Sequence, residues 1–227
     1  YASGPADVDG PLDFETGSGF QVHLTAARLH VGAVYFRLGQ ANPGSANASC
    51  VGDTTYGLQV PGPGDVDALS SLPQEFSILG NATSDLDQSG EIWLVDGDIN
   101  RVASSTVVAA VEGIATKNGR TLPIRGSISI GQNHVIPPSN PAQPGQNPIC
   151  KQRIVAPIPL EIQPAVGGDL LLRVDPRPWL RDVDFSTLSA GEDGVTLEIP
   201  DVSSGAGPDV LAARAFFLGV TAASADV

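Results

Sequence analysis

The chain has 227 residues and a mass of 23.3 kDa; at 41% hydrophobic and 16% charged residues it is too apolar for a disordered chain and can fill a core. Its 26 glycines and 19 prolines argue against a bundle of long helices. Twelve basic against 25 acidic residues give a net charge of −13, which leaves no basic patch for phosphates, makes nucleic acid and anionic membrane surfaces poor partners, and favours cations.

Residues 1–19 are rich in Gly, Pro and Asp and read as an extended segment running over a surface. From Phe20 the pattern becomes that of strands. Val22, Leu24 and Ala26 alternate with His23 and Thr25, and Leu29, Val31, Ala33 and Tyr35 continue the alternation after a slip of one residue near Ala27–Arg28. A slip of this kind is what a β-bulge produces. The rival reading is a helix over Leu24–His30. Residues 39–64 read as a long loop, Asp65–Leu72 as a short helix, and Glu75–Leu79 and Glu91–Val95 as strands flanking an Asp-rich turn.

The clearest hairpin joins Thr106–Thr116 to Thr121–Ile130 through Asn118-Gly119, because both central residues of a type I′ turn need positive φ. Residues 131–149 carry five prolines and read as a loop. A second hairpin is expected from Ile154–Ile162 to Leu170–Val174 around Gly167-Gly168, then a strand at Val195–Ile199. Asp209 either caps a short helix or leads a last strand through Phe216–Val220. Trp93 and Trp179 read as core anchors, the second packing over a strand end stopped by Pro176 and Pro178. Seven to nine strands, with turn signals roughly every 8–12 residues, predict an all-β chain. The expected form is an antiparallel β-sandwich, Ig-like or jelly-roll-like, built as a single domain over 1–227.

The chain starts at Tyr1 and contains no methionine, which reads as a processed product or an excised domain. Its two cysteines, Cys50 and Cys150, sit in loop-like sequence. They read as one disulfide formed in an oxidising compartment, against the alternative of two buried thiols. Closing a loop of about 100 residues would stabilise the fold by roughly 4–5 kcal/mol. Asn47 and Asn81 head glycosylation sequons.

The most specific motif runs from Asp85 to Asp96. Asp85, Asp87, Ser89 and Asp96 stand at loop positions one, three, five and twelve, with Gly90 at six and Ile92 at eight. This resembles the calcium loop of the EF-hand family, in which alternate oxygens fold around the ion and Gly permits the sharp turn. The match departs at Trp93, at Asp96 in place of Glu, and in having no preceding helix. The alternative is a solvated turn leading into a strand. The clusters Asp7–Gly10 and Asp96–Asp98 read as turns.

His23, His30 and His134 are the only histidines, and three can in principle hold one transition metal. Seven residues of extended chain keep His23 and His30 roughly 20 Å apart, so surface histidines are the plainer reading. Asp182 and Asp184 would share one side of a strand. No Gly-X-Ser-X-Gly elbow, His-Glu-X-X-His or phosphate loop is present, so the chain reads as no enzyme.

Residues 20–36 and 168–185 resemble uncharacterised secreted or lipoprotein β-proteins of Gram-negative bacteria. More distantly, 20–36 resembles the opening strands of the periplasmic partner proteins of copper-handling di-haem enzymes. The resemblance implies an envelope or extracellular β-sandwich, and copper only if His23 or His30 were ligands. The expected function is thus a non-enzymatic extracytoplasmic binding or assembly module, an envelope, adhesion or filament subunit with a protein partner or self-assembly and calcium as a stabiliser. A periplasmic copper-handling accessory protein is the alternative.

Overall fold

A computed structural model describes residues 1–37, 58–76, 87–94, 106–130, 154–163, 165, 167–201, 209–222 and 225–226. In chain order the elements are β1 (Ala2–Ser3), β2 (Leu12–Glu15), β3 (Gln21–Arg37), β4 (Leu58–Asp67), β5 (Gln88–Leu94), β6 (Thr106–Lys117), β7 (Arg120–Ile130), β8 (Ile154–Ile162), β9 (Leu172–Val174), α1 (Arg177–Arg181), β10 (Leu197–Ile199), α2 (Asp209–Thr221) and β11 (Ala225–Asp226). The chain is strand-rich. One large, mostly antiparallel, curled sheet has the order β10-β7-β6-β3-β5-β8, and a small sheet has the order β1-β9-β11.

The spine of the large sheet is β3, 17 residues long. It is a strand and not a helix because its apolar residues recur every second position: Val22 and Leu24 are buried while Gln21 and Thr25 are exposed. Thr25 and Ala26 then both face out, and Ala27, Leu29 and Val31 resume the inner row. The register against β6 shifts between Leu24 and Ala26. The predicted bulge therefore exists, two residues earlier than the sequence places it, with Thr25 as the extra residue.

Two strands share each edge of β3. On one edge β2 pairs with Gln21–Leu24 and β4 with Arg28–Phe36; on the other β6 pairs with Gln21–Leu29 and β5 with Ala33–Arg37. Ala33, Val34, Tyr35 and Phe36 are all buried, so at this end the sheet is covered on both faces.

The hairpin of β6 and β7 is as predicted. Asn118 has φ +52° and Gly119 φ +74°, both in the left-handed region that a type I′ turn requires. Several other expectations are corrected. Part of the expected loop 39–64 and the first residues of the expected helix 65–72 form β4. The run Pro61-Gly62-Pro63-Gly64 looks like a loop, yet the strand holds by pairing along β3, with a register shift where Gly62 and Pro63 face Gly32. Glu75 and Phe76 are not in a strand; residues 77–79 lie outside the described residues. The expected hairpin of β8 with β9 is absent, since β8 pairs with β5 while β9 joins β1 and β11.

The N-terminal residues are built into the fold rather than laid over it. Ala2 and Gln74 exchange backbone hydrogen bonds of 2.8 and 2.7 Å, Gly4 donates to Ser70 O at 2.6 Å, and Leu172 donates to Tyr1 O at 3.0 Å. Residues 1–10 thereby tie the turn after β4 to the small sheet. Arg177 secures the same segment, lying 2.9 Å from Asp175 and 3.2 Å from Asp7.

Residues 177–181, where a strand end was expected, are α1, with Trp179 and Leu180 buried as anchors. The choice left open at Asp209 falls to a helix, α2, which buries Ala212, Ala213, Phe216 and Val220. The two helices cross at Gly219, where an added Cβ would lie 2.5 Å from Pro178 O and 2.7 Å from Trp179 Cα. No helix among the described residues is long and apolar enough to cross a membrane.

Candidate functional site: an acidic cleft beside the central bulge

Among the described residues, a cleft of about 590 Å³ lies where three segments meet. Asp9, Gly10 and Pro11 come from the N-terminal segment, Thr25–Arg28 from the bulge of β3, and Asp65, Asp67, Leu69, Ser70 and Gln74 from the end of β4 and the turn after it. The bulge builds this site. By inserting Thr25 it turns both Thr25 and Ala26 outward and sends Arg28 to the same side as Asp65 and Asp67.

The three cleft carboxylates are held differently. Asp67 is fixed by its own turn: its Oδ1 accepts from Leu69 N at 2.9 Å, and the Gln74 side chain clamps its backbone at 2.8 and 3.0 Å. Asp65 Oδ1 lies 2.7 Å from His30 Nδ1, while Arg28 Nη1 stands 3.9 Å from Asp65 Oδ2. The carboxylate of Asp9 has no hydrogen-bond partner among the described residues. Three carboxylates face one guanidinium, at the side of a chain carrying −13. Such a cleft attracts a cationic group and repels an anionic one.

Each of β2 and β4 places an acid directly opposite a histidine of β3. His23 faces Asp13, with Nδ1 2.8 Å from Oδ1, and His30 faces Asp65. Sequence reasoning singled out the histidines and missed both partners, because β4 reads as a loop and β2 as part of a surface segment. Of these two, only His30 is largely covered, at 16% side-chain exposure against 44% for His23, and its Nε2 is buried without a hydrogen-bond partner among the described residues. The two rings lie along one outward row of β3, seven positions apart, and the strand does not bring them together. His134 lies outside the described residues, which contain no cluster of three or more His, Cys, Asp or Glu able to hold a metal.

Of the calcium-loop residues, Asp87 and Ser89 are among the described residues. Gln88–Leu94, the middle of the motif, is strand β5, buried at every residue. Gly90 makes no sharp turn there. It pairs with Phe36 and Ile158, and an added Cβ would lie 2.7 Å from a side-chain atom of each, so the glycine serves close packing. Asp87 is exposed just before β5 and accepts from Gln163 Nε2 at 2.8 Å, while Ser89 is buried within the strand. Asp85 and Asp96 lie outside the described residues, as do Cys50 and Cys150.

One buried acid had no sequence signal beyond its place at a strand start. Glu91 is 2% exposed and accepts from Trp93 Nε1 at 2.7 Å, and the Trp93 ring packs 4.6 Å from that of Tyr35. Three carboxylates in or beside turns, Asp7, Asp184 and Asp193, have lowered pKa values. Hydrogen bonds from the Thr196 hydroxyl and from the amides of Val195 and Thr196 lower Asp193 to about 2. Asp184 is lowered chiefly by the Ser186 hydroxyl, and Asp7 by Arg177. Asp182 and Asp184 do not share a strand: Asp182 ends α1 and Asp184 caps the 3-10 turn Phe185–Thr187. Compared with protein-family models, curated proteins and solved structures, the chain matches none.

Proposed function

We propose that this chain is a non-enzymatic, extracytoplasmic binding module of the envelope or adhesion type, and that the cleft beside the β3 bulge receives a cationic group of its partner. The carrying observation is the lining of that cleft: Asp9, Asp65 and Asp67 converge on it against Arg28 alone. A side-chain-sized group fits its volume of about 590 Å³. The reading keeps the β-sandwich as its finer architecture, with the small sheet and the helices as the layer opposite the curled sheet. It keeps a Cys50–Cys150 disulfide as the staple suited to an oxidising compartment. It keeps calcium as a stabiliser bound by carboxylates of the 85–96 segment, Asp87 among them.

Docking through the cleft is favoured over assembly by strand addition. The outer strands carry proline: Pro61 and Pro63 in β4, Pro157 and Pro159 in β8, and Pro123 in β7 beyond its contact with β10. Proline has no N–H to offer an incoming strand.

The test is titration with a fluorescent oligo-arginine peptide. The cleft variant Asp9→Asn/Asp65→Asn should weaken binding by about tenfold, equivalent to about 1.4 kcal/mol, and a distant pair, Asp169→Asn/Glu192→Gln, should leave it unchanged. Equal weakening by both pairs would show that net charge, not this cleft, holds the peptide. Absence of any binding by the wild type would remove the cationic-partner reading altogether.

The copper-handling alternative draws on one specific observation. A carboxylate on Nδ1 is the arrangement that orients a histidine for a metal at Nε2, and both His23 and His30 have it. Native protein carrying stoichiometric copper, lost on His30→Gln, would support that reading; copper-free native protein would end it.

A further inference from the structure

We draw no further inference here: the strongest candidate, the exposed apolar stripe formed by Leu211 and Leu218 on α2, is an unpartnered helix face, and nothing in the structure shows what covers it.

Discussion

At Gly119 a backbone angle of +74° leaves little freedom in the choice of residue. A β-branched side chain is poorly accommodated there, at a cost of about 1–2 kcal/mol. Gly119→Val should therefore lower the melting temperature, whereas Gly119→Asn should be milder, since Asn tolerates this region. An unchanged melting point in the valine variant would contradict the turn. Asp193 makes a second test at this scale. Its folded value of about 2 lies below the ordinary 3.8. A depressed carboxylate contributes stability above its unfolded value and loses it as pH falls through the folded one. The contribution of Asp193 should thus be complete above about pH 4 and disappear towards pH 2. Carboxyl NMR titration should place its midpoint near 2, and Thr196→Val, which removes the largest cause of the shift, should raise it. A midpoint at the ordinary value in the wild type would refute the turn geometry.

Among the elements, the helix pair depends most on a single atom's absence. A side chain at Gly219 would meet backbone atoms of Pro178 and Trp179, which cannot rotate aside. Gly219→Val should force α2 away from α1, with an overpacking cost of about 1–3 kcal/mol. Leu218→Ala, on the exposed side of the same helix, should cost far less. Chemical denaturation of the two variants checks the contrast; similar losses would mean the helices do not cross there. The elements also differ in how far they could be read in advance. β6 and β7 were legible because alternation and the Asn118-Gly119 turn are local properties. β4 was hidden by its prolines and glycines, which disfavour a strand in isolation and are tolerated at an edge. Gly167-Gly168 offered good turn chemistry, yet the strand beyond it found partners in β1 and β11.

At the scale of the whole molecule, prolines stand in the outer strands β4 and β8 of the large sheet. In β8, Pro157 pairs with Glu91, and β8 ends the strand order of the large sheet. Replacing Pro157 and Pro159 by Thr would restore N–H donors without changing charge. Light scattering should then show concentration-dependent association absent from the wild type. If the double variant stays as dispersed as the parent, the prolines do not guard that edge. The charge of −13 acts in the same direction, since like-charged copies repel.

The sequence by itself determined the strand-rich class, the primed hairpin, the alternation of β3 on either side of its bulge and the burial of both tryptophans, because φ preferences and a two-residue period act between neighbours. Only the tertiary structure decided the rest. The parallel pairing of β1 with β9 and of β10 with β7 joins segments far apart in the chain through backbone groups that every residue carries alike. The extended course of Gln88–Leu94, within a segment that resembles a calcium loop, follows from pairing with β3 and β8 on either side. The meeting of Asp9 with Asp65 and Asp67 depends on the bulge at Thr25 and on the N-terminal segment crossing to Ser70. Such pairings are fixed by burial and hydrogen bonding across the fold, and no local pattern encodes which strands will meet.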